Sequence, residues 1–596
     1  MMSPPCARML PLPTTVGRPV DRQVSSLTSA RMDRSRQCVS HPRLSVWTVT
    51  DRPDVTTMES VSTSQSAKEY LAPLNRAAPS ARNLIIAGAF AGLVAALLMT
   101  LVMAVERDWL GVSPPPEAIP DRFAPDLGIS FFFALLGFFG GYNHLKQVGV
   151  GSLLMGQLVL GAALGVLYAA LVSRHRQPRP FSRLGAIVVA TIVGLLWLAT
   201  LGTLAPVLGS NYAGRPPEPA TTITVLALLV AYGVFAVTVP IVYRVLLDIP
   251  AGAAGTSATP RIGRRAILAG SVSTLVLAVA SGVVLKRLFD RAVFSYDGTE
   301  YTGTDLQPIV PNDRFYLVTK NVVDPTVDRS VWRLEVSGLL DRPQSYTFDE
   351  LAALPATTQE TTLMCISNAV GAGLMSNAIW KGVALHTLLD AAGPKPAVTK
   401  VVLRGVDGYT DTFAIEKALD PTTLVVYEMN GAPLPERHGF PVRVIVPGMF
   451  GEKNVKWVTG IELVDHDVKG FYEKQGWGPN FVIPTRSGFT GPDFSQPLPF
   501  GQPVVLKGTA FGGNRGVTRV EVSTDDGRSW TEARRDYPGS QLSWSLWSLE
   551  WRPDRPGDYR LVVRAVDGTD GVQTAEERDT APEGATGYQH VTAHVA

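Results

Sequence analysis

The hydrophobic positions of this chain fall into two regimes. Between residues 84 and 285, uncharged apolar runs recur at 84–104, 127–143, 151–172, 184–208, 220–243 and 266–285. Most reach the ~20 residues that cross a ~30 Å hydrocarbon layer. They are rich in Gly and Ala, which let membrane helices approach one another closely. The pattern predicts an all-α transmembrane bundle of about five helices over 84–247, then one further helix within 261–287. The loop 173–183 carries Arg174, Arg176, Arg179 and Arg183, and the loop 244–265 ends in Arg261, Arg264 and Arg265. Both are expected on the cytoplasmic side, because short cytoplasmic loops concentrate Arg and Lys. Everything after Lys286 then lies outside. Counting back through six spans also puts the amino end outside, against the charges of Lys68, Arg76 and Arg82, so the count is expected to be wrong by one near that end.

After Lys286 the period shortens. Segments 332–337, 400–404 and 440–446 read as strands, with helical stretches such as 387–392 between them. An α+β domain is expected over 295–483. A Pro/Gly-rich passage then leads to strands near 503–511, 517–524, 545–551 and 558–567, a spacing that suggests a small all-β sandwich over 484–596. Residues 1–83 show no sustained apolar period and read as disordered, with no signal-peptide pattern and with Met58 as an alternative start.

Composition narrows the function. Of 596 residues, 46% are hydrophobic and 18% charged, below the roughly 25% charged of typical soluble domains. The net charge of +2 and the lack of a basic stripe exclude a nucleic-acid binder. Three cysteines, Cys6, Cys38 and Cys365, exclude a disulfide framework and any four-cysteine metal site.

Cys365 ends an apolar, β-prone run just before a Ser/Asn/Gly turn. By its residues alone it reads as a small core residue, a metal ligand or a nucleophile. The nucleophile needs a histidine base, and His386, His438, His466, His590 and His594 stand in no protease-type context. The Cys-x-x-Cys zinc spacing is absent from the sequence, and the one His-x-x-x-His pair, His590 and His594, has no Glu beside it as in a zinc-protease helix.

A longer ordered series carries more. PNDRFYLVTKN (311–321), WRLEVSGL (332–339), TLMCISN (362–368), WKGVALHTLL (380–389), VVYEMNGAPLPERHGFPVRVIVPGMFGEKNVKWVTGI (425–461) and VKGF (468–471) resemble the sulfite oxidase family of molybdopterin enzymes. The sandwich, with LKGTAFGGNRGVTRVEVSTDDGRSW (506–530), resembles the immunoglobulin-like dimerisation domain of that family. The resemblance implies a molybdenum–molybdopterin cofactor with Cys365 as its protein thiolate, a soft donor suited to the metal. It also implies that Asn368, His438, Arg443, Lys453 and Lys456 hold the pterin and its phosphate, as an anionic cofactor requires. Gly439, Gly448 and Gly451 would admit it to the backbone. A homodimer is implied as well.

Three departures bear on the substrate. Val468 stands where the family has a tyrosine, Ala369 and Val370 follow Asn368 where it has paired arginines, and Lys320-Asn321 replaces Arg-Asn. A neutral sulfoxide or N-oxide is therefore expected in preference to sulfite. Because the family inserts its cofactor into a folded protein in the cytoplasm, Arg264 and Arg265 resemble a twin-arginine export signal retained as an anchor. His144 and His175 sit at span ends, so the spans are not expected to bind haem. The expected protein is a multi-pass enzyme of the cell membrane with its catalytic domain outside, exchanging electrons with a membrane or secreted carrier, a quinone or a cytochrome. The rival readings are a non-catalytic membrane-tethered module that keeps the fold, and a transporter or sensor.

Overall fold

The computed structural model describes residues 81–173, 183–247, 279, 283 and 306–596. The twin-arginine segment, apart from two helical positions, lies outside them, as do Cys6 and Cys38. The amino-terminal helical part, read as the membrane part, comprises α1 (Ala81–Leu110), α2 (Pro115–Phe123), α3 (Ile129–Phe139), α4 (Tyr142–Val172), α5 (Arg183–Leu204) and α6 (Pro217–Leu247). Helix α1 begins inside the segment read as disordered, three residues before the apolar run predicted it. Four of the described helices are long and apolar enough to cross a membrane.

The predicted second span is a correction. Run 127–143 forms the 11-residue α3, ~16 Å long at 1.5 Å per residue, about half a hydrocarbon layer. It ends at Gly140 in the left-handed conformation (φ 71°), and Gly141 (φ 118°) redirects the chain at once into α4. About five helices over 84–247 thus become four of spanning length.

Glycines set the packing of the bundle. An added Cβ at Gly92 would lie 2.1 Å from the Gly161 carbonyl oxygen, and one at Gly165 would lie 2.2 Å from that of Gly88. Two small-xxx-small pairs therefore cross with backbones in contact, as membrane helices lacking a hydrophobic drive require. Large apolar side chains such as Leu195, Leu198 and Val237 face outward.

The α+β domain holds two sheets. The first contains β1 (Leu334–Gly338) and β2 (Gln344–Tyr346); the second contains β3 (Thr357–Met364) and β4 (Met375–Ala384). The chain returns to the first with β5 (Lys400–Gly405) and β6 (Thr410–Ala414), and to the second with β7 (Leu424–Met429), β8 (Ala432–Pro433) and β9 (Arg443–Ile445). β10 (Val458–Val464) completes the first sheet in the order β2-β1-β10-β5-β6, with only β1 and β10 parallel. Residues 440–446 are strand only over Arg443–Ile445. The sandwich forms as expected from two four-stranded antiparallel sheets, which include four strands not read from the sequence: Arg486–Gly491, Thr531–Glu532, Arg534–Tyr537 and Gln589–Val595.

The connections 111–141 and 205–216 both rest on the α+β domain. Lys320 Nζ lies 2.6 Å from Asp121 Oδ1 of α2, both side chains largely buried. Arg107 is paired with Glu117 at 2.9 Å and donates to the Val323 carbonyl. Lys146 of α4 donates to the carbonyls of Thr319 and Asn321, and Asn211 N–H donates to the Val406 carbonyl. Charged groups withdrawn from water must be matched, so these pairs fix the relative position of the two parts.

Candidate functional site

A cavity of about 740 Å³ opens where the two sheets, the membrane part and the turn after β3 meet. Cys365 lines it directly beyond β3. Its backbone N–H donates to the Leu374 carbonyl, and its Sγ lies 3.1 Å from Ser367 Oγ. His438, Arg443 and Lys456 line the same cavity.

Their settings differ. His438 ends a 3₁₀ turn (Glu436–His438), and its Nε2 pairs with the Asn312 carbonyl at 2.9 Å. Burial, with Arg443 and Lys456 nearby, lowers its pKa to about 3. The ring is therefore neutral, and donating from Nε2 leaves Nδ1 as an acceptor. Arg443 opens β9, donates to the His438 and Asn454 carbonyls, and is lowered by burial only to about 10, so it keeps its charge. Lys456 donates to the Val318 and Arg437 carbonyls, and burial lowers it to about 8.

These residues fit a phosphorylated pterin. Arg443 Nε is buried with no hydrogen-bond partner among the described residues, and a buried donor in that state calls for an acceptor. At Gly439 (φ 112°), an added Cβ would lie 3.1 Å from the Arg443 Cβ and 3.2 Å from the Lys456 Cβ. The cradle between the two cations exists because residue 439 has no side chain. At Gly451 a Cβ would lie 2.7 Å from the Tyr316 hydroxyl.

Three of the expected cofactor contacts lie elsewhere in this structure. Lys453 does not line the cavity. It is 2% exposed and bonds Asp411 and Glu473 at 2.6 Å each, so its charge is consumed within the domain. Asn368 lies outside it too, its Oδ1 accepting from Leu374 N–H to brace the loop after Cys365. Gly448 abuts Asn514 of the sandwich rather than the cavity.

Other lining residues left only faint traces in the sequence. Although Val468 replaces the family tyrosine, the cavity keeps phenols at Tyr316, Tyr409 and Tyr472. Glu452 lines it with both carboxylate oxygens buried and without partners among the described residues. Burial, reinforced by Asp411, pushes this carboxyl up to about 8. An acid between Gly451 and Lys453 in an otherwise basic stretch was its only trace. The membrane part contributes Phe132, Phe133, Tyr142 and Asn143. The Phe-rich run over 131–133, too short to cross a bilayer, was their trace.

Comparisons with known proteins agree with this construction. Residues 321–472 match the family model described as the oxidoreductase molybdopterin binding domain, and residues 481–580 match the Mo-co oxidoreductase dimerisation domain. The chain is similar to mitochondrial sulfite oxidase of Rattus norvegicus, 32% identical over 314 residues, which cover 44% of this chain and 57% of that one. Sulfite oxidase of Gallus gallus is 32% identical over 314 residues and is covered to 68%. Nitrate reductase [NADH] of Solanum lycopersicum is 30% identical over 308 residues, 41% of this chain and 34% of that one. The chain thus spans little more than half the length of the rat enzyme. Among solved structures, the sulfane dehydrogenase SoxCD of Paracoccus pantotrophus aligns with 49% of this chain and 84% of that chain, at 26% identity and TM-score 0.43. With two thirds of the chicken enzyme matched and both family domains present in order, this chain belongs to the sulfite oxidase family of molybdopterin-dependent oxidoreductases.

Proposed function

We propose that this chain is a membrane-anchored molybdopterin oxidoreductase that moves an oxygen atom to or from a small substrate, favouring a sulfoxide or N-oxide over sulfite. The observation that carries this reading is a single cavity containing Cys365, a neutral His438 and the cations Arg443 and Lys456. The bound cofactor supplies two-electron oxygen-atom exchange at its metal. Cys365 would hold the metal, and Arg443 and Lys456 the phosphate, with His438 as a neutral hydrogen-bonding partner to the pterin.

Charge accounting favours a neutral substrate. Lys320 also lines the cavity, but Asp121 and Asp407 take up its charge. Arg443 and Lys456 would be committed to the phosphate, and no further Lys or Arg among the described lining residues would remain for a dianion. Each missing charge-assisted hydrogen bond costs roughly 1.5–3 kcal/mol, so two would lower sulfite affinity about a hundredfold or more. Steady-state assays of the purified full chain should give a higher kcat/KM for methionine sulfoxide or trimethylamine N-oxide than for sulfite. A sulfite value above both would overturn the preference.

Removing oxygen as water consumes protons, and Glu452 is placed to deliver one from the cavity wall. Its raised pKa keeps it protonated at neutral pH, and that supply is lost as pH rises through about 8. Turnover with a sulfoxide should fall about tenfold per unit above pH 8. Glu452→Gln should lower kcat by roughly ten- to a hundredfold and abolish that pH limb; an unchanged limb in the variant would contradict the role.

The catalytic domain is read as extracytoplasmic. The connections that touch it, 111–141 and 205–216, lie at the ends of the helices opposite the Arg-rich loop 173–183. With α3 not crossing, the amino end falls on the side of that loop, where Lys68, Arg76 and Arg82 agree with the positive-inside rule. In this reading Arg264 and Arg265 direct export of the folded domain, and the sandwich joins two copies.

A further inference from the structure

One wall of the cavity belongs to the membrane part: Phe132, Phe133 and Leu136 of α3, and Tyr142, Asn143 and His144 at the start of α4. Helix α3, ISFFFALLGFF, is apolar throughout, and none of its residues is buried. Phe131 and Phe138 are 56% and 83% exposed. Bare aromatic surface of this kind is unfavourable in water, and α3 runs directly into a helix of membrane-spanning length. One face lines the cavity, and the other is bare apolar surface of the kind a hydrocarbon layer would cover.

Within this wall is a polar group in need of a partner. Asn143 Oδ1 is buried and accepts no hydrogen bond from any described residue. Flat side chains line the same cavity: Phe133 packs on Trp477 with ring centroids 5.8 Å apart, and Tyr142 and Tyr472 also line it. An acceptor among aromatic rings at a lipid boundary matches a ligand that is planar, apolar and hydroxylated. An acyl chain would leave Asn143 unsatisfied, and a hydrophilic anion would be poorly solvated by these rings.

We propose that the membrane-side half of the cavity binds a lipid-soluble hydroquinone, which donates the electrons for oxygen-atom removal. The proposal rests on the oxidoreductase reading above. The ring is held among Phe133, Tyr142 and Trp477, one hydroxyl donates to Asn143 Oδ1, and the tail leaves past Phe132 and Leu136 into the bilayer. The reaction balances without a further reagent. The hydroquinone gives up two electrons and two protons and becomes a quinone, while a sulfoxide takes up two electrons and two protons and becomes a thioether and water.

The test uses the full chain in lipid nanodiscs, titrated anaerobically with decylubiquinol and followed by tryptophan fluorescence. Saturable binding is expected, undiminished by decane, which shares the tail but has no hydroxyl. Asn143→Leu should weaken it at least tenfold, whereas Asn143→Asp, which keeps an oxygen acceptor, should retain it. Absent binding, equal affinity in the Leu variant, or displacement by decane would each overturn the proposal. Wild-type sulfoxide reduction is then driven by decylubiquinol and, separately, by reduced benzyl viologen. Turnover with both supports the site, and turnover with viologen alone overturns it while leaving the oxidoreductase reading intact. Turnover with neither overturns that reading and this inference with it.

Discussion

Replacing Cys365 by serine is expected to lower turnover at least a thousandfold while leaving the protein folded. The two halves of this expectation have separate causes. The thiolate is the protein's proposed ligand to the metal, and a thousandfold loss corresponds to about 4 kcal/mol of transition-state stabilisation. The structural cost is small, because Cys365 is only partly buried, its side chain lies beside Ser367, and its backbone bond to Leu374 survives the change. Such a substitution should cost under ~1 kcal/mol of stability. Methionine sulfoxide turnover, together with a thermal melt of the same preparation, checks both. Full activity in the variant would remove Cys365 from the mechanism.

Lys453→Met should produce the largest loss of stability, and should do so with or without cofactor. Lys453 is the shared partner of Asp411 and Glu473 in a region where burial already raises the Asp411 pKa and Lys453 opposes that rise. Removing the cation leaves two carboxylates facing each other next to Glu452. Breaking a buried pair by deleting one partner costs about 3–5 kcal/mol, and at roughly 2–4 °C per kcal/mol for a domain of this size the melting temperature should drop by about 10 °C. Lys456→Met should behave oppositely, releasing cofactor with little change in the melt, since Lys456 donates only to carbonyls in this structure. If Lys453→Met melted like wild type and lost cofactor instead, its assignment as an internal counter-ion would fail.

These contrasting lysines show what the sequence could convey. Lys453 and Lys456 stand three residues apart in one basic motif, and the direction of each depends on the 3₁₀ turn Gly451–Lys453, which sends the first toward Asp411 and leaves the second at the cavity. A side chain's direction within an irregular turn is set by tertiary partners, here an aspartate 42 residues away. That Cys365, His438 and Arg443 would share one cavity was legible, because an ordered series of motifs carried them. Glu452 was not, because its burial and lack of partners are properties of the folded cavity. Four of the eight sandwich strands followed from period-two alternation between turns. The second span, already the shortest of the six, failed because two consecutive glycines with positive φ end its helix after 11 residues. No pattern in the sequence showed that α3 would close the catalytic cavity, since that contact joins residues more than 300 positions apart, as in the packing of Phe133 on Trp477.

The central claim is that this cavity is a molybdenum site whose protein ligand is Cys365. Molybdenum-edge X-ray absorption on the purified full chain tests it most directly. The account predicts one molybdenum per chain with three sulfur neighbours, two from the pterin and one from Cys365, falling to two in Cys365→Ser. A chain without molybdenum, or a sulfur count unchanged by that substitution, would contradict it.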